Sequence, residues 1–284
     1  MTENTNPLNK YFRQPAIYVS LPSGTDYNPN VVVPSETGEL GVMPMTAKDE
    51  IRFKTPDALM NGQGVVDVIQ SCVPDIKDAW QIKSYDLDTI LVAIRIATYG
   101  ETMEMNFNVP GANQNVSHTV NLPAVLDELR ATKVDTYITL KDGLKITVRP
   151  LTYKDMTSTS LQTFQQQKMY TAIQDSQLSD EEKAKKFNAA FKTLTDLNTG
   201  ILLKNISMIT MPDGTEITDI AHIKEFVDNA NATLVKEIEE KLTQLRGQGA
   251  VKPLTLKATE DQIKKGAPAS YQVPVTFDTS NFFA

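Results

Sequence analysis

The chain of 284 residues contains one cysteine, two histidines and one tryptophan, and these shortages remove several kinds of chemistry at once. A lone Cys72 closes no internal disulfide, so the fold does not depend on oxidation and synthesis in a cytoplasm is expected. His118 and His222 lie in separate segments, which leaves no His/Cys cluster of the kind that holds zinc. A Cys–His nucleophile pair stays formally open, but Cys72 sits in the apolar stretch VVDVIQSCV, where a small buried residue is the better reading. There is no Gly-x-Gly-x-x-Gly, no P-loop and no Gly-x-Ser-x-Gly elbow.

Long hydrophobic runs are missing as well. The densest, TILVAIRIA at 89–97, carries Arg95 and falls far short of the roughly 20 apolar residues of a membrane span. The opening MTENTNPLNKYFRQP has no charged-then-apolar leader pattern. A net charge of -7 would repel nucleic acid and anionic membranes. The basic runs KAKK (183–186) and IKK (263–265) stand beside acids and read as solvated helix faces. Asp86/Asp88 and Glu239/Glu240 are the nearest thing to catalytic carboxylate pairs. The first stands where a helix begins and the second on a charged helix face, so capping and solubility account for them. No cofactor and no metal are expected.

What is present is a repeated junction. VMPMTAKDE (42–50) and VRPLTYKDM (148–156) each end a β-like run and open a helix-like one. Proline stops the strand. Thr46 with Asp49, and Thr152 with Asp155, have the three-residue spacing of a reciprocal N-cap. Strands are expected at IYVSL (17–21) and ELGVM, then again at DTYITL (135–140) and LKITV. A further helix start is expected at Thr55-Pro56-Asp57. The following helix has Val65, Val66, Ile69 and Cys72 as its apolar stripe. The next, DTILVAIRIATYG, is capped by Asp86 or Asp88, ends at Gly100, and is apolar nearly all round, which predicts a central position. Met103, Met105, Phe107 and Val109 alternate with polar residues as in a half-buried strand, returning through Val116, His118, Val120 and Leu122. His118 shares that apolar face and reads as a packing residue.

In the second half, Ser179 and Glu182 cap a helix with the stripe Phe187, Phe191, Leu194, Ile201 and Leu202, and ISMITMPDG is a strand and turn. Two amphipathic helices follow, and a final hairpin pairs VKPLTLKA with YQVPVTF. Each half thus runs hairpin, corner, helices, hairpin, an order that favours duplication over coincidence. The expected fold class is α+β: two related halves with β-hairpins packed on α-helices, the second expanded by extra helices. Residues 1–16 form an extended arm and 17–130 a first α+β domain. Residues 131–284 form a second, with a helical insertion at about 156–205 and an aromatic tail.

Several of these segments, taken together, resemble a known family: the baseplate hub and hub-assembly proteins of contractile-tailed bacteriophages of the T-even type. The resemblance rests on Leu21-Pro22-Ser23-Gly24, the corner MPMTAKDE and the helix ending in Cys72. It continues in Tyr85-Asp86-Leu87-Asp88 through Ile94-Arg95, Tyr99-Gly100 and Glu101, and in the end Phe277-Asp278-Thr279-Ser280-Asn281-Phe282-Phe283. It covers most of 17–123 and the last dozen residues, and is weak over 156–205. Relatives often carry a Cys-Pro-x-Cys-Gly knuckle in the hairpin after the apolar helix. Here that turn reads VPGANQN, with Val109 and about Ala112 where sulfur would stand, so no zinc role carries over.

The resemblance implies a structural component of the tail baseplate hub, made in the host bacterial cytoplasm and carried in the virion tail. Its partners would be other phage tail and baseplate hub proteins, with self-association open and neither nucleic acid nor membrane insertion involved. The alternatives are an assembly chaperone absent from the virion, an enzyme with a site not visible as a motif, and a host-directed binding module. Candidate partner contacts are the aromatics near the two ends, Tyr11, Phe12, Phe282 and Phe283, together with Arg95. A guanidinium inside an apolar helix needs water or an acid, and Asp88, Glu101, Glu104 or a partner chain are the candidates.

Overall fold

The computed structural model describes residues 8, 11–24, 26–55, 61–175 and 179–275. The expected helix start at Pro56-Asp57 and the tail aromatics Phe277, Phe282 and Phe283 lie outside them. So do the side chains of Phe191, Leu194 and Ile201. In chain order the strands and helices are β1 (Ile17–Val19), β2 (Leu40–Val42), α1 (Ala47–Phe53), α2 (Gln63–Cys72) and α3 (Ser84–Tyr99). Then come β3 (Thr102–Val109), β4 (Gln114–Asn121), α4 (Leu122–Ala131), β5 (Tyr137–Thr139), β6 (Lys145–Val148) and α5 (Tyr153–Asp175). After these follow α6 (Asp180–Asn205), β7 (Ile206–Thr210), β8 (Glu216–Ile217), α7 (Ile220–Asn229) and α8 (Ala232–Arg246). Last are β9 (Leu254–Lys257), α9 (Glu260–Lys264) and β10 (Ser270–Val273). The class is α+β, as the sequence predicts.

Both corners fold as their spacing requires. Asp49 Oδ2 accepts from the Thr46 amide at 2.8 Å and its hydroxyl at 2.7 Å, while the Asp49 amide donates back to Thr46 Oγ1 at 3.3 Å. Thr152 and Asp155 repeat this exchange at 3.2, 2.8 and 3.2 Å. The sheets beside the corners differ. β1 and β2 form a two-stranded antiparallel pair, whereas β5, β6, β7 and β8 form a four-stranded antiparallel sheet in that order.

The chain divides into two compact units. The first comprises residues 1–79, 86–132 and 249–284, the second 80–85 and 133–248. The last hairpin groups with the first unit because specific contacts hold it there. The Val251 amide donates to Asp88 Oδ2 at 3.1 Å, and Lys252 Nζ reaches Glu128 at 2.6 Å. Tyr271 of β10 meets Phe107 of β3 edge to face at 6.2 Å. The turns of the two hairpins touch through backbone: a Cβ on Gly111 would lie 2.3 Å from the Gly266 carbonyl oxygen. Periodicity cannot report a contact between residues 155 apart.

In the first unit, α3 is central as its composition predicts, with Ile90, Leu91, Val92, Ala93 and Ile94 all buried. The helix begins at Ser84 rather than after an Asp cap, because Asp86 and Asp88 are spent on other segments. Met103, Met105 and Val109 of β3 turn inward, with His118 half-buried opposite Met105. The helix α4 follows β4 directly where the alternation implies only a strand end, and its start is an ordinary one: Asn121 Oδ1 accepts from the Ala124 amide at 2.9 Å, and a proline stands in its first turn. In the second unit the core is Ile138, Ile146 and Ile209 of the sheet with Leu202, Ile223, Val227, Ile238 and Leu242 of the helices.

The two facing turns carry no thiolate, and the described residues hold no group of three His, Cys, Asp or Glu arranged for a metal. A prolonged chelator treatment is therefore expected to leave the melting temperature unchanged. A fall of several degrees that zinc restores would contradict this.

Candidate functional site

In the segment before β1, one side chain reaches three other parts of the first unit. Arg13 Nη2 donates to the Ser71 carbonyl and hydroxyl, both at 2.7 Å, and Nη1 donates to the Pro44 carbonyl at 2.7 Å. Nη1 also lies 3.2 Å from Asp49 Oδ2 and 3.8 Å from Cys72 Sγ. One guanidinium thus joins the arm, the end of α2 and the capped corner before α1. Burial alone would raise the Asp49 pKa. The Thr46 amide and hydroxyl, Ser71 and Arg13 outweigh it and hold the carboxyl below its ordinary value. Burial, with Asp49 nearby, pushes the Cys72 thiol up to about 12, so it is a packing residue and no nucleophile. An arginine in a polar arm gives no signal of this role in the sequence.

The anchored arm carries Tyr11 and Phe12 outward, 73% and 56% exposed. Tyr18 of β1, 59% exposed, stands across from Gly41 of β2. Three aromatics therefore lie exposed within eight residues of chain, on the arm that Arg13 ties down and on the strand that follows it.

The acids of the Asp-Leu-Asp run are structural. Asp86 is fully buried and accepts from the Ser23 amide at 2.9 Å and the Tyr27 hydroxyl at 2.6 Å. It binds the Leu-Pro-Ser-Gly turn to α3. Asp88 is raised by burial, partly offset by the Val251 amide.

Arg95 departs from expectation. It pairs with none of Asp88, Glu101 and Glu104, and it does not snorkel, being 6% exposed. Its guanidinium carbon lies 4.5 Å from the ring centre of Tyr99, one turn on, whose hydroxyl donates to Glu50 Oε1 at 2.9 Å. Nε and Nη1 are sealed from solvent without an acceptor.

The second unit has an open cleft of about 390 Å³ between Tyr85, Val134, Val148, Pro150, Leu151 and Leu242. Ser84, Asp135, Arg149 and Asn205 supply its polar atoms, with no histidine or cysteine to pair with the serine. No helix among the described residues is long and apolar enough to cross a membrane.

Comparison with curated proteins and with solved structures gave no significant match. A family model described as T4 bacteriophage base plate protein, however, matches residues 26–259, and the chain belongs to that family.

Proposed function

We propose that this baseplate protein is a structural component of the baseplate hub, acting through protein–protein contacts rather than catalysis. The observation that carries the reading is the pinned arm, which holds Tyr11 and Phe12 exposed on a backbone already ordered by Arg13. Aromatic side chains are enriched at the centres of protein interfaces, and holding them in place before docking reduces the entropy lost on binding. The cleft in the second unit offers no nucleophile–base pair, which supports a non-enzymatic role. Quantitative mass spectrometry of purified virions tests it. A hub component is present at a fixed ratio to other baseplate proteins, whereas a chaperone is found in infected cells and missing from particles.

The aromatic tail gives a second test. Burying one phenylalanine contributes roughly 1.5–3 kcal/mol, so Phe282 and Phe283 are worth several kcal/mol if they are covered. Deleting Asn281–Ala284 is expected either to lower the melting temperature of the isolated protein or to leave it unchanged while tail assembly fails. The first result assigns the tail to its own chain and the second to a neighbour. Normal melting with full infectivity would remove it from the docking residues.

A further inference from the structure

We propose that the outer face of α5 is a self-association surface, on which the same helix of a second copy packs antiparallel about a two-fold axis. Residues 160–165 of α5 are all exposed, and six in succession complete more than a full turn, so the helix is open to solvent there on every side. A helix so placed is ordinarily supported by ion pairs along its surface. The helices α6, α7 and α8 have them in Lys185–Glu181, Lys224–Asp228 and Lys236–Glu240, each four residues apart, whereas the described residues show none along α5. Its stretch 156–167, MTSTSLQTFQQQ, holds no charge and has five serines and threonines, which are weak helix formers. The helix is short of stabilisation from its own chain, and packing on its open face supplies it.

Half-buried Asp155 and Thr159 mark the inner side of α5. Roughly opposite them, Leu161 and Phe164 are exposed, with Lys168 Nζ 4.7 Å from the Phe164 ring centre. With Thr157 these residues follow the i, i+4, i+7, i+11 spacing of a helix-packing stripe. Three features make a second copy the occupant. A chain of net charge -7 repels its own kind except where the facing surfaces are uncharged, and 156–167 is such a surface. Leu161 and Phe164 also stand near the middle of a helix that runs Tyr153–Asp175. A two-fold axis level with residues 162 and 163 therefore sets each Leu161 against the other copy's Phe164, while roughly 30 Å of helix overlaps. The same register brings each Lys168 beside the other copy's Thr157 and keeps the two Lys168 about 16 Å apart along the helices, where parallel pairing would set them together. One helix face of this length lies near the ~1,000 Å² lower bound of a specific interface, so a dissociation constant on the order of 10 µM is expected.

Analytical ultracentrifugation of the full-length protein from about 1 to 200 µM tests it, and the mass is expected to rise from monomer to dimer across that range. The double variant Leu161→Glu/Phe164→Glu should stay monomeric throughout. Its melting temperature at the lowest concentration should match wild type, because both side chains are exposed in the single chain. Cysteines decide the arrangement independently of how that variant folds. Leu161→Cys mixed with Phe164→Cys should oxidise to a cross-linked dimer, and Lys168→Cys alone should not, while the native Cys72 is buried and takes no part. A wild type that is monomeric at the top of the range, or a double variant that still dimerises, overturns the proposal. Monomeric wild type with a double variant lost from tails would give the face to a different baseplate protein and equally overturn the second copy. Cross-linking of Lys168→Cys to itself would overturn the antiparallel arrangement. All but the tail assay use isolated protein, so absence from virions would remove the hub reading and leave this one standing.

Discussion

Replacing Gly111 by alanine is expected to destabilise the protein by about 3 kcal/mol, lowering its melting temperature by roughly 6–12 °C. Two costs combine. The residue has φ +78°, where an L side chain costs about 1 kcal/mol or more. The new Cβ would also sit 2.3 Å from the Gly266 carbonyl oxygen and 3.0 Å from its carbonyl carbon. Both are backbone atoms of the facing turn, so the two hairpins must separate, and the packing of Tyr271 on Phe107 is disturbed with them. Gly24→Ala isolates the first cost, because Gly24 has φ +67° with open space around it. Thermal unfolding of both variants decides the matter. If Gly111→Ala falls no further than Gly24→Ala, the turns do not bear on each other.

Arg13→Ala should cost about 2–4 kcal/mol, the range for removing one partner of a largely buried ion pair. The loss includes three hydrogen bonds at 2.7 Å, of which two reach main-chain carbonyls on different segments. The pH dependence follows from Asp49. Its folded pKa lies below the ordinary 3.8, so it contributes stability at neutral pH. That contribution is complete above the unfolded value and disappears as pH falls from about 4 toward the depressed folded one. Arg13→Ala removes one of the groups that depress it, so the variant should show a shallower loss of stability across that acid range. Denaturant unfolding at pH 7 and at pH 3 measures both effects. A variant with wild-type stability at pH 7 would show the arm to be held by something else. The arm matters beyond stability, since Tyr11 and Phe12 precede Arg13 directly, and a released arm should also weaken incorporation into tails.

Local signals were legible in the sequence and long-range ones were not. The caps at Thr46, Thr152 and Ser179 are decided by atoms three residues apart, and all three fold as their spacing implies. The alternation at 103–109 and the apolar 89–97 likewise report burial through a period of two and through composition. The grouping of 249–275 with the first unit depends on Asp88, Phe107 and Gly111 meeting residues more than 150 positions away, which no periodicity records. The same limit hid Arg13, whose partners lie 31, 36 and 58 residues on. Arg95 was visible as an oddity, yet that Asp88 does not pair with it depended on where Asp88 was spent.

Because most of the second unit, residues 133–248, is inserted between residues 132 and 249 of the first, the order of synthesis limits the order of folding. When Thr132 leaves the ribosome, β3 and β4 can pair but the turn at Gly111 has nothing to meet, and Asp88 has no Val251 amide. At 5–20 residues per second, synthesis from Thr132 to the end of β10 imposes a wait of roughly 7–28 seconds before the closing hairpin exists. During that wait the first unit is an open half-product with an uncovered sheet face, while the inserted unit can complete its own core. A chain cut short anywhere before residue 249 never closes its first unit.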